Sequence, residues 1–172
     1  MNLDFKQHIP SDFHPQSKVW IYQSNRIFSI NESVEIDTTL QNFASSWKSH
    51  GATVKGFGKL FFGAFIVLMA DETHAGVSGC STDSSVRIIK EMEKKYAVEL
   101  FNRQLLALVV NDHLQFIPLN QIQNAIADNI ISAETIYFNN TVLTKNELEE
   151  NWIIQLKNSW LGNKTNVVLD SK

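Results

Sequence analysis

The stretch Ala64-Phe-Ile-Val-Leu-Met-Ala70 is apolar at every position, and it constrains the fold more than any other feature of the chain. A strand with one face in water alternates apolar and polar residues, so a run without alternation needs cover on both faces. It is also far shorter than the roughly 18 residues a membrane-crossing helix requires. The run therefore predicts the central strand of a sheet. Residues 53–62 before it are rich in β-branched and aromatic types, and Gly63 separates the two segments. The pattern predicts two strands joined by a turn near 60–63, with Gly56 and Gly58 as alternative places for it.

Val19-Trp20-Ile21-Tyr22 reads as a short strand. Ile36, Leu40, Phe43 and Trp47 then fall on one helical face, with Ser29 and Glu32 at capping-box spacing and Gly51 as the stop. A second helix follows from Ile88, Ile89, Met92 and Tyr96, and another strand from Leu105 to Val110. Asn111-Asp112-His113 turns into Leu114–Ile117. The order up to residue 110 is β-α-β-β-α-β, which predicts an α+β fold with a ferredoxin-like core, an antiparallel sheet carrying both helices on one face. Residues 1–17 lack periodicity and hold two prolines, so they are expected to be a flexible arm. The core is expected to span 18–111, with 112–172 a C-terminal α/β extension packed on it. In that extension Leu119, Ile122 and Ile126 mark a short helix, Thr135–Phe138 a strand, and Thr144 with Glu147 a second capping box. The pattern "PLNQIQNAIADNIISAETIYF" is similar to that of GYF-type interaction modules, a short helix followed by a Thr-x-Tyr-like strand.

A chain of 172 residues buries about 70% of its unfolded surface and needs no disulfide or metal staple. Its net charge is −3 with no basic stripe, which argues against nucleic acid as a partner. One cysteine cannot form an internal disulfide, and "MNLDFKQHIPSDFHPQSK" has no apolar leader segment. These features predict a cytoplasmic protein with no membrane span. The histidines at 8, 14, 50, 74 and 113 are dispersed and show no paired ligand spacing, so neither a metal nor a cofactor is expected.

Several phrases recur together in one family: "VWIYQSNRIF" at 19–28, "FASSWKSHG" at 43–51, "SGCSTDSSV" at 78–86, "ELFNR" at 99–103, "FNN" at 138–140 and "NWIIQLKNSW" at 151–160. With these the chain resembles a family of small Bacteroidetes proteins often labelled "ABC transporter ATPase". The chemistry that label implies is missing. A phosphate loop needs G-x-x-x-x-G-K-[ST], whereas "GATVKGFGKL" has Gly56-Phe57 where Gly-Lys is required. Gly58-Lys59 is followed by Leu60, which has no hydroxyl for magnesium. Met69-Ala70-Asp71-Glu72 looks like a Walker-B end but has no phosphate loop to serve. ATP hydrolysis by this route is excluded.

The remaining candidate site is "GVSGCSTDSS", which holds Cys80. A helix start leaves backbone N–H groups unpaired, and Ser81, Thr82, Asp83, Ser84 and Ser85 are all potential caps. Capping accounts for these residues but not for the cysteine. Two functional readings follow. In the first, a non-enzymatic protein takes a ligand or partner at the start of this helix through Ser78, Gly79, Ser81, Thr82 and Asp83, with Arg26 and Arg87 as counter-charges. The alternative is an enzyme or redox protein using Cys80 as a thiol nucleophile with His74 as base, since a helix start favours the thiolate. Tyr22, Gln23, Asn25 and Arg26 would form one wall of the same pocket. Trp47 and Trp152 are expected in the core and Trp160 at the surface.

Overall fold

The computed structural model describes residues 1–49, 51–73 and 79–165; for 79–81 and 163–165 it describes the backbone alone. The fold is α+β with antiparallel sheets, in two compact units. One comprises residues 2–101 with 141–149; the other comprises Met1, Asn102–Asn140 and the chain from Glu150 onward.

In the first unit β5 (Phe65–Asp71) is the middle of a three-stranded sheet, between β1 (Lys18–Gln23) and β4 (Lys55–Phe61). All seven residues of β5 are buried, as its unbroken apolar run demands. The β4–β5 turn places Phe62 at φ 52° and Gly63 at φ 65°. Gly56 and Gly58 are strand residues rather than turn residues. They let α1 (Ile30–Ser46) lie close: a Cβ on Gly58 would sit 3.1 Å from the Leu40 carbonyl oxygen, and one on Gly56 2.9 Å from the Trp47 ring. The helix opens on the expected capping box, with Ser29 and Glu32 bonding each other's backbone N–H. It ends at Trp47, earlier than expected; Gly51, at φ 84°, serves the turn between β2 (Lys48–Ser49) and β3 (Ala52–Thr53) instead. Ile36, Leu40, Ile66, Leu68 and, from α2 (Gly79–Tyr96), Ile89 and Met92 form the core on one side of the sheet.

The other face is covered by the segment expected to be a flexible arm. Phe5, Ile9 and Phe13 are 4%, 6% and 7% exposed. Phe5 stands edge-on to Phe61 and Phe62, at 6.1 and 6.4 Å between ring centres. The Lys55 ammonium lies over the Phe13 ring at 4.7 Å. Aromatic burial of this kind contributes far more than a loose tail would retain.

The ferredoxin-like core does not close. The strand order β1-β5-β4 matches three of its strands, but the fourth, β6 (Leu105–Val110), lies in a separate sheet of order β7-β6-β8-β9. There β6 pairs along one edge with β7 (His113–Pro118) and along the other with β8 (Ile136–Phe138), so no edge remains for β1. The hairpin is set by Asn111 and Asp112, both at positive φ (49° and 61°), a turn whose twist suits adjacent strands. A boundary at 111/112 would cut this hairpin; the units divide at Phe101/Asn102 instead. The outer edge of β1 meets the chain at Leu143 and Thr144, through a Lys18–Thr144 bridge and a Val19 N–H bond to the Leu143 carbonyl. Residues 141–149, expected in the extension, thus belong to the first unit.

In the second unit β9 (Ile153–Gln155) completes the sheet, and α3 (Ile122–Ala127) supplies Ile122 and Ala125 to a core with Leu108, Tyr137 and Leu156. The expected short helix followed by a strand is present as α3 and β8. Between the units in sequence runs α4 (Lys145–Asn151), whose Glu147 N–H bonds Thr144 Oγ1 at 3.2 Å, and α5 (Trp160–Thr165) follows β9. No helix among the described residues is long and apolar enough to cross a membrane.

Candidate functional site

The start of α2 falls at Gly79, so Cys80 is its second residue. His74 and Ser78 lie outside the described residues, as do the side chains of Gly79, Cys80 and Ser81. Thr82, Asp83, Ser84 and Ser85 are inside the helix and not at its cap. Ser85, fully buried, donates its hydroxyl to the Thr82 carbonyl at 2.7 Å, a local bond that short hydroxylic side chains make within helices. Asp83 and Arg87 are exposed.

Arg26 does not join them. Its guanidinium grips both Glu32 carboxylate oxygens, at 2.9 and 2.8 Å, and donates to the Tyr96 carbonyl at 2.8 Å. Tyr96 is the last residue of α2, and a rise of 1.5 Å per residue puts it about 24 Å from Cys80. Arg26 instead ties the start of α1 to the end of α2. A cation is favoured at that carbonyl end, as the Glu32 carboxylate is at the start of α1. The rest of the expected wall has gone the same way: Asn25 accepts from the Glu99 N–H at 3.1 Å, and Tyr22 packs edge-on to Phe101 at 5.4 Å.

Hydrogen bonds from Arg26 and from the Ser29 backbone hold the Glu32 carboxyl down at about 2. A carboxylate held low in the folded state stabilises above its unfolded value and loses that contribution as pH falls through the folded one. The melting temperature should therefore decline between about pH 4.5 and pH 2. Thermal melts of Glu32→Gln should start lower at neutral pH and decline less over this window; an unchanged slope would count against the assignment.

A second polar cluster was legible in the sequence only as a strand end. Asp71, 3% exposed, takes the His14 N–H on Oδ2 at 3.1 Å and the Thr73 hydroxyl and N–H on Oδ1 at 2.8 and 3.1 Å. Burial pushes this carboxyl up, but the bonds from Thr73, His14 and Lys55 outweigh it and hold the group well below the usual carboxylate range. Lys55 bridges Asp71 at 3.4 Å and the Asp12 carboxylate at 3.0 Å. These charges fasten the N-terminal segment. A shallow groove of about 320 Å³ is lined by His8, Gln41, Ala44, Phe57, Gly58 and Lys59. Among the described residues no three His, Cys, Asp or Glu side chains are grouped to hold a metal ion.

No protein-family model matches this chain, and no curated protein or solved structure does so either. The functional reading therefore rests on the chain's own surface.

That surface has one feature the sequence reading missed. Ile27, Ile30 and Val34 are 53%, 84% and 63% exposed. Ile30 and Val34 stand one turn apart on α1 and so share a face. Ile27 lies just before the helix, over the turn, its Cγ2 3.1 Å from where a Gly63 Cβ would be. The signal was available: these positions fall off the Ile36–Leu40–Phe43–Trp47 stripe, so a buried place for them was never implied.

Proposed function

We propose that the protein is a non-enzymatic binding protein whose partner is another protein. The observation that carries this reading is the apolar ridge Ile27–Ile30–Val34 at the start of α1. Large apolar side chains exposed side by side are costly in water and mark interaction sites. The ridge is flanked by the polar residues Asn31 and Thr38 and by the charged Arg26 and Asp37, which suits a partner with an apolar face and a polar rim. Its base is rigid: the capping box and the Arg26–Glu32–Tyr96 tie hold the first turn of α1 in place. A photo-crosslinker at position 30 in living cells should give a discrete adduct that Val34→Asp abolishes, and one at Asn42 should not. An adduct indifferent to Val34→Asp, or none, would overturn the reading.

The ligand site expected at the start of α2 lacks Arg26, one of its two expected counter-charges, which is engaged by Glu32 and the Tyr96 carbonyl at the far end of the helix. The competing reading, a thiol enzyme, draws on one observation, that Cys80 sits in the first turn of an 18-residue helix, where a thiolate is favoured. Its expected base, His74, lies outside the described residues. The resemblance to the Bacteroidetes family fits a binding role once the ATPase label, which lacks its phosphate loop, is set aside. Of the ferredoxin-like plan we retain only the three-strand order.

A further inference from the structure

We infer that the N-terminal segment is a releasable strap whose docking is coupled, through the Asp71 carboxylate, to the exit of β5. The segment is held in two ways. Phe5, Ile9 and Phe13 are its apolar anchors. Its backbone from Ser11 to His14 is gripped by charged side chains from three separate elements. Lys145 of α4 donates to the Phe13 carbonyl at 3.0 Å and to that of Ser11 at 3.5 Å. Lys55 of β4 donates to the Asp12 carbonyl, and Asp71 of β5 accepts the His14 N–H. None of these is a sheet ladder, so the strap can leave without breaking strand pairing. The pivot of such a strap is Pro15, whose carbonyl takes the Asn146 N–H of α4 at 2.9 Å.

The coupling comes from one carboxylate serving two masters. Oδ2 takes the His14 N–H from the strap and Lys55 from β4; Oδ1 takes the hydroxyl and N–H of Thr73, two residues beyond the end of β5. With the strap docked, Asp71 is 3% exposed and water cannot compete for these bonds. With the strap away, Oδ2 loses the His14 N–H and water reaches the group. Thr73 is then less firmly held. Docking and the order of the β5 exit thus favour each other.

Native-state hydrogen exchange on the whole chain tests this without any substitution. In sub-denaturing guanidinium, the His14 and Thr73 amides should share one opening, with the same denaturant slope. They should exchange about tenfold or more faster than the amides of β5. Phe5→Leu, which loosens the strap where it packs on Phe61, at the opposite end of the β4–β5 pair from Asp71, should raise exchange at His14 and Thr73 together, by roughly tenfold. Exchange of His14 only in step with β5 would show that the segment is core and not strap. A rise at His14 without one at Thr73 would break the coupling.

Discussion

Phe5→Ala should destabilise the first unit by about 3–5 kcal/mol, the usual cost of removing a buried aromatic ring. That is a large share of the 5–15 kcal/mol by which a domain is stable. The side chain is 4% exposed and closes the sheet face over Phe61 and Phe62, so its removal opens a cavity and wets two rings. Lys6→Ala, one residue on and exposed, should change stability by no more than about 0.5 kcal/mol. Chemical denaturation of the two variants compares them directly. Equal small effects would return residues 1–17 to the status of a flexible arm. The loss also has a ceiling. Once strap docking is lost nothing more can be taken from it, so Phe5→Ala with Phe13→Ala should cost less than the sum of the single changes.

The second large effect belongs to the other unit. Trp152 is fully buried, stands edge-on to Phe138 at 5.7 Å, and donates its indole N–H to Asn140 Oδ1 at 3.0 Å. Trp152→Ala should cost about 3–5 kcal/mol through the cavity it leaves. Trp152→Phe keeps a ring against Phe138 and gives up the hydrogen bond, so it should cost less, with about 1 kcal/mol of the loss assigned to that bond. If the alanine variant melts like the parent, the Trp152–Phe138 packing does not hold this unit together.

The elements that were legible in the sequence are those whose cause is local. The Ser29–Glu32 box, the all-apolar β5 and the Asn111-Asp112 turn each depend on residues a few positions apart. Trp47 and Trp152 were correctly expected in the core, at 2% and 0% exposed, and Trp160 at the surface, at 38%. What was missed depends on partners distant in sequence. Phe5, Ile9 and Phe13 recur every four residues, but Pro10 and Pro15 interrupt the pattern, so it reads as neither helix nor strand. Nothing in Leu105–Val110 says which strand it will join; the choice is made by β7 and β8, which take both its edges. Arg26 was assigned to the wrong end of α2 because strand order alone does not reveal which carbonyl a five-donor guanidinium will find. The ridge on α1 was missed because attention to a core stripe passes over the apolar residues outside it.

The central claim, a binding protein rather than a thiol enzyme, is tested most directly at Cys80. The rate of its alkylation by iodoacetamide at neutral pH should be measured in the native chain and in the same chain unfolded in denaturant. A structural cysteine reacts no faster folded than unfolded, and that is the result expected here. A native rate about tenfold or more above the unfolded one would mean that the fold activates the thiol, and would contradict the claim.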